Sequence, residues 1–153
     1  MDLLELPPYF SYDMPYIHSW KIISNAPVKQ HAWCLRQCRY CPVRASDVNA
    51  SGPPCVDFSN AGLGAGVEGS TNYCMLALCR IHTWFGTKLA VVENTPRCPL
   101  HYVQMNLPSH TVQRLDVSCA DTGFGLVGRD RVYFVATHNA RTRIVFDIQK
   151  VYN

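Results

Sequence analysis

The chain has 153 residues, of which 48% are hydrophobic and 16% are charged, so it is long enough for one domain with a sizeable core. Its formal net charge of +3 is too small to indicate a nucleic-acid-binding protein by itself. Gly and Pro occur at ordinary frequency, which excludes collagen-like and low-complexity chains and argues against global disorder.

The amino-terminal residues and the hydropathy pattern predict a cellular compartment. No apolar run is long enough for a transmembrane helix. Residues 1–8 carry two acidic groups and no cation, unlike a secretory signal. We therefore expect an intracellular protein that is not secreted and has no membrane partner. In a reducing compartment its eight cysteines would be packing, metal-binding or catalytic residues rather than disulfides.

The first half of the chain predicts few regular elements. Residues 1–27 contain four prolines among aromatic residues, which indicates irregular chain with one short helix. Residues 43–50 predict a short strand, which must stop before the consecutive prolines at 53 and 54. Residues 60–72 predict a loop. A helix near 72–85 follows, with Ser70 or Thr71 as its cap.

The second half alternates between strands and a helix. Residues 89–92 are a continuous apolar run of β-prone residues, and residues 97–107 suit a helix. Strands are predicted again at 111–117 and 131–137. This alternation predicts an α/β fold with a mostly parallel sheet and flanking helices.

Chemically capable side chains follow two of the predicted strands. Cys55 comes directly after Pro53 and Pro54, and Glu93 and Asn94 end the apolar run at 89–92. Functional groups of such sheets lie just beyond the carboxyl ends of the strands. The sequence therefore places a nucleophile and an acid at one edge of the sheet.

Three segments together resemble a known enzyme family. Gly52–Gly62 resembles the catalytic loop of C5-cytosine-specific DNA methyltransferases, with its Pro-Cys pair followed by an aromatic residue and Ser. Leu89–Pro96 resembles the family's Glu-Asn-Val strand end, and Arg129–Val135 resembles its Gln-x-Arg-x-Arg motif. The motifs have the family's order and plausible spacing, which makes the combination specific where one motif alone would be weak.

The resemblance implies a DNA (cytosine-5)-methyltransferase activity with covalent catalysis. The Cys55 thiolate would add to carbon 6 of cytosine, which activates carbon 5 toward the methyl group of S-adenosylmethionine. Glu93 would interact with ring nitrogen N3, and Arg131 would hold the carbonyl O2. The substrate would be double-stranded DNA whose target base leaves the stack. The implied contacts to substrate or DNA are Pro54, Ser59, Asn94 and Arg129.

The resemblance covers only part of the family's fold. Residues 1–54 contain a single glycine, so the family's glycine-containing turn for S-adenosylmethionine is missing and the cofactor-binding residues stay unknown. After residue 137 too little chain remains for a target-recognition domain. We expect a partial Rossmann-like methyltransferase domain at 43–153 behind an irregular region at 1–42. A second chain would supply the cofactor-binding half, and the protein would act in the nucleus or nucleoid.

A cysteine cluster supports a different interpretation. Cys34, Cys38 and Cys41 have the spacing of the radical S-adenosylmethionine motif, which holds an iron–sulfur cluster. The three thiols could also bind zinc with His31, or be free or packing thiols, which the sequence favours. The nearby cations Arg36, Arg39 and Arg44 would suit a zinc knuckle that touches phosphate.

Three hypotheses for function therefore remain open at this point. The first is the methyltransferase-like enzyme, incomplete as a single chain. The second is a catalytically inactive, methyltransferase-derived module that binds DNA or regulates a partner. The third is a small radical S-adenosylmethionine iron–sulfur protein. The Gly-x-Gly-x-x-Gly pattern at 64–69 does not follow a predicted strand, so it indicates a hinge rather than a dinucleotide site.

Overall fold

A computed structural model describes residues 3–11, 13–62, 64–118 and 130–152. Within these ranges the chain is a mixed α/β fold whose helices and strands follow in this order: α1 (Tyr16–Asn25), β1 (His31–Cys34), β2 (Arg39–Pro42), β3 (Val48–Ser51), α2 (Tyr73–Phe85), β4 (Leu89–Asn94), α3 (Leu100–Asn106), β5 (His110–Val117), β6 (Arg131–His138) and α4 (Ile148–Tyr152). Three short 3₁₀ turns at Val56–Phe58, Gly66–Glu68 and Ser70–Asn72 lie between β3 and α2.

The sheet has four strands in the order β3-β4-β6-β5. β3 pairs with β4 in parallel, whereas β6 is antiparallel to both β4 and β5. The prediction of a mostly parallel sheet is therefore wrong. The prediction fails because β6, the last of the described strands in sequence, lies between β4 and β5 and runs antiparallel to both. Sequence patterns set the strands but not the direction in which distant strands meet.

The apolar residues of one sheet face form the core with the helices. Alternation along β4 and β6 buries one side of each strand, as expected for a pleated strand packed on helices. Phe134 on β6 and Met75 on α2 belong to this core, and so do Leu4 and Ile23 from the amino-terminal region. α1 packs on α2. The predicted division between residues 42 and 43 stays a prediction.

Most of the predicted elements are confirmed, with shifted boundaries. The strand expected at 43–50 is β3 at Val48–Ser51, because its pairing with β4 starts at Val48. The capping role expected of Ser70 or Thr71 is wrong. Both belong to a 3₁₀ turn, and Asn72 is the N-cap of α2, with no side-chain capping hydrogen bond. The antiparallel hairpin β1–β2 was not predicted.

A buried polar cluster joins the end of α2 to the sheet. Gly86 ends the helix in the left-handed conformation with φ 57°, a position that suits glycine. The His82 Nδ1 lies 3.1 Å from the Thr87 hydroxyl, and the His110 Nε2 lies 2.9 Å from the Thr87 carbonyl oxygen. Burial, followed by the nearby His110, lowers the pKa of His82 to about 4. The imidazole is therefore neutral at physiological pH.

Candidate functional site

The strand directions bring three segments to one edge of the sheet. β3 and β4 are parallel, so Ser51 and Asn94 end at the same edge. β6 is antiparallel to β4, with Asn94 opposite Val132, so β6 begins at that edge with Arg131. A parallel β6 would have carried Arg131 to the opposite edge. The reversed strand is thus what completes this edge, which we call the β3–β4 edge.

Glu93 and Arg131 form an ion pair at the β3–β4 edge. Glu93 lies opposite Tyr133 in the register, so Arg131, two residues before Tyr133, is on the same sheet face. The Arg131 Nε contacts the Glu93 Oε1, with 18% of the arginine side chain and 33% of the glutamate side chain exposed. The Arg131 Nη1 also donates to the Asp130 carbonyl oxygen at 3.0 Å. Both groups remain accessible to a ligand.

Gly52 links this ion pair to the chain that carries Cys55. A Cβ atom on Gly52 would lie 2.9 Å from the Glu93 Oε2, so the absence of a side chain lets the carboxylate sit against the backbone. Cys55 is half-buried and directly precedes the 3₁₀ turn at Val56–Phe58. Pro54 is exposed beside it. The predicted nucleophile thus follows, three residues later in the chain, the glycine that packs against Glu93.

Asn94 and Thr95 fasten the loop after Cys55 to the end of β4. The Asn94 Oδ1 accepts the Thr95 backbone N–H at 2.8 Å, and the Thr95 hydroxyl donates to the Phe58 carbonyl oxygen at 3.0 Å. Asn94 is buried. Asn94 thus braces the loop through Thr95, whereas the resemblance implied that Asn94 contacts the substrate. The contribution of Thr95 was not predicted from the sequence.

Asp57 anchors the far end of the same loop. Its carboxylate is buried and accepts the Thr71 backbone N–H at 2.8 Å and the Thr71 hydroxyl. A Cβ atom on Gly69 would overlap this carboxylate, and a Cβ atom on Gly62 would overlap the Val56 carbonyl oxygen. The glycines therefore allow close packing of the loop. Sequence reasoning missed Asp57, although a carboxylate two residues after Cys55 was a visible signal.

A cleft of about 410 Å³ opens beside the ion pair. It is lined on one side by the loop after Cys55, including Ser59, and on the other by Thr95, Arg97 and Arg131. Arg114 on β5 donates hydrogen bonds to the Pro96 and Cys98 carbonyl oxygens at 2.8 and 3.1 Å, and Pro96 is part of the cleft lining. Its lining offers the Asp130 side chain, the guanidinium groups of Arg97 and Arg131 and hydroxyl groups to a polar ligand, whereas Glu93 and Cys55 lie outside the lining.

The remaining predicted site residues are placed differently. Arg129 lies outside the described residues. Cys34, Cys38 and Cys41 are free thiols in the β1–β2 hairpin, where the Cys38 thiol lies 3.5 Å from the Leu35 carbonyl oxygen and the Cys41 thiol 3.2 Å from the Gln37 side chain. Desolvation, followed by the adjacent Cys34 thiol, raises the pKa of Cys41. Within the described ranges no three His, Cys, Asp or Glu side chains are arranged to hold a metal ion. The geometry therefore gives the zinc and iron–sulfur hypotheses no support.

The described residues form no binding site for S-adenosylmethionine. The only glycine before residue 55 is Gly52, and the space beside it is filled by the Glu93 carboxylate. β3 is the outermost strand of the described sheet, and Val48 on it is well exposed. The residues present do not fit the cofactor by themselves.

No helix in the described part of the chain has both the length and the apolar character needed to cross a membrane. In comparisons with known proteins, the chain matches no family model and no curated protein.

Proposed function

We propose that this chain is a DNA (cytosine-5)-methyltransferase-like protein that binds a cytosine base in the cleft beside Arg131 and adds Cys55 to it. The observation that carries the proposal is the meeting of Gly52, Glu93 and Arg131 at the β3–β4 edge. These three residues come from the three separate segments that resemble the family. Double-stranded DNA is the proposed substrate.

The proposed step needs this chain's own groups and a proton from solvent, and no cofactor. The Cys55 thiolate forms a bond to carbon 6, and the electron pair of the 5,6 double bond moves toward N3 and O2. Glu93 interacts with N3 and Arg131 with O2, where negative charge develops. Carbon 5 then takes a proton from solvent. Loss of either proton from carbon 5 expels the thiolate and restores cytosine.

The methyl donor belongs to a second component in this proposal. S-adenosylmethionine is the methyl source of the family, and the residues described here do not form its site. We propose that a second chain supplies the cofactor-binding half. The reaction assigned to this chain alone is reversible addition of Cys55 to cytosine.

Hydrogen exchange at carbon 5 tests this addition without any cofactor. The chain is incubated with a cytosine-containing DNA duplex in deuterium oxide, and deuterium at carbon 5 is measured by mass spectrometry of the nucleosides. We expect deuterium incorporation that Cys55→Ser abolishes. We expect Glu93→Gln to slow incorporation by about a hundredfold, because a positioned acid or base contributes on that order.

Cys74→Ser is the matched control, because Cys74 is also half-buried but lies on α2. It should leave the exchange rate unchanged. Incorporation by the wild-type chain no faster than by Cys55→Ser would contradict the proposal. DNA binding retained in that case would favour the catalytically inactive, methyltransferase-derived module instead.

A further inference from the structure

The β1–β2 hairpin presents two aromatic rings to solvent. Trp33 and Tyr40 face each other across the hairpin, so both rings lie on one face. Their centroids are 5.5 Å apart in an edge-to-face arrangement. Trp33 is 54% exposed and Tyr40 is 69% exposed. His31 and Pro42, which pair at the base of the hairpin, extend the same exposed face.

The segment that contains the hairpin is rich in positive charge. The stretch from Lys29 to Arg44 contains four cations and no acidic residue. A cleft of about 530 Å³ on the hairpin is lined by Tyr40 together with Arg39 and Arg44. Arg39 pairs with Cys34, one position along from Tyr40, so its side chain leaves the opposite face of the hairpin, where its Nε donates to the Gln37 side chain at 3.0 Å. Tyr40 and Arg44 thus line one concave surface, and Trp33 stands across the hairpin from Tyr40.

The hairpin is also separate from the four-stranded sheet. An isolated two-stranded hairpin is only marginally stable in water and gains most from packing its apolar side chains. Here the largest rings point away from the core instead. A surface of this kind suits a ligand that has flat π-faces and a regular negative charge.

We propose that the exposed face of the β1–β2 hairpin around Trp33 and Tyr40, with Arg44 in the adjoining cleft, binds single-stranded nucleic acid. Unpaired bases stack on exposed aromatic rings, and cations neutralise the backbone phosphates. In a duplex the base faces are already stacked on one another, so the rings would find no partner. An acidic peptide would satisfy the arginines but would leave Trp33 and Tyr40 without stacking partners. The proposal is independent of the function proposed for Cys55.

Fluorescence anisotropy with a labelled oligothymidylate tests the proposal on the full chain. We expect Trp33→Leu and Tyr40→Leu each to weaken binding about tenfold, since stacking on one ring contributes on the order of 1–3 kcal/mol per base. Leucine keeps an apolar side chain of substantial volume but lacks a π-face. We expect Trp33→Phe to retain most of the affinity.

The salt dependence reports the charge contribution separately. We expect Arg44→Gln to reduce the slope of log affinity against log salt by about 0.7 in magnitude, as for one phosphate contact on a single strand. Circular dichroism and the urea midpoint of each variant confirm that it is folded.

Trp84→Leu is the matched control. Trp84 is also exposed and has the Arg80 guanidinium 5.2 Å from its ring centroid, but it lies on α2. It should bind oligothymidylate like the wild type. Absence of binding would overturn the proposal, as would binding that Trp33→Leu leaves unchanged. Displacement of the bound oligothymidylate by an equal or lower concentration of a duplex or of polyaspartate would also overturn it, because charge alone would then explain the interaction at the hairpin.

Discussion

The four-stranded sheet and the β1–β2 hairpin are both built from short strands, yet they use their side chains in opposite ways. β4 and β6 bury one side of each strand in the core. The hairpin leaves Trp33 and Tyr40 exposed. Apolar side chains in the sheet therefore supply stability, and they hold Glu93 and Arg131 in place at its edge. We infer that aromatic side chains in the hairpin contribute little to stability and are available for contact.

The largest expected effect is a difference in stability between variants of the sheet and variants of the hairpin. Phe134 on β6 has no exposed surface, so we expect Phe134→Ala to lower the free energy of unfolding by about 3–5 kcal/mol. We expect Trp33→Ala, which removes a larger side chain, to change it by no more than about 0.5 kcal/mol. Urea denaturation followed by circular dichroism measures both. Comparable losses in the two variants would show that the hairpin is part of the cooperative core.

The next effect is a pH dependence that belongs to the sheet region. His82 has a pKa of about 4 in the fold and about 6.5 when unfolded. Unfolding therefore takes up a proton below pH 6.5. The free energy of unfolding should be highest above that pH and should fall by about 3 kcal/mol as the pH drops to about 4. The pKa of His110 is also lowered, chiefly by burial, and adds in the same direction.

Urea midpoints measured between neutral pH and pH 4 test this dependence. His82→Gln removes the titrating ring, so its midpoint should change much less over the same range. A midpoint that falls as steeply in His82→Gln as in the wild type would assign the dependence to other groups. Protonation of His82 should leave the stability of the hairpin unaffected, since the hairpin lies outside the four-stranded sheet.

The smallest expected effect lies in the hairpin turn. Cys38 has a positive φ of 47°, a conformation that costs a non-glycine residue about 1 kcal/mol. Cys38→Gly should relieve this strain and slow amide hydrogen exchange in β1 and β2 by up to about fivefold. Cys38→Ala removes the thiol but keeps the Cβ atom, so it should not protect the amides. Equal protection in both variants would mean that the thiol, and not the backbone, sets the local stability.

The sequence predicted the elements that depend on local pattern. The apolar run at 89–92 lies in β4, and the segment with helical spacing near 72–85 forms α2. Glu93 and Arg131 were chosen because their motifs resemble a family, and the structure brings the two side chains together. The motifs were therefore enough to name the two residues, whereas their meeting at one edge depends on the direction of β6.

Long-range features could not be predicted in the same way. The reversed direction of β6 depends on how distant strands pair, which no local periodicity encodes. Asp57 and Thr95 act through hydrogen bonds to residues that are distant in the sequence, and no periodic pattern names the partner of a polar residue. The four-residue strands of the hairpin are too short, and too rich in Cys and Arg, to resemble strands.

The position of β6 in the sheet also has a consequence for the order of folding. β6 is the last strand in sequence but lies between β4 and β5, so a nascent chain cannot close the sheet until residues 131–138 have left the ribosome. The β1–β2 hairpin needs only neighbouring residues and can form within microseconds of emerging. The Glu93–Arg131 pair depends on contacts between distant segments, which form slowly. The proposed catalytic edge is therefore among the last parts of the molecule to assemble during synthesis.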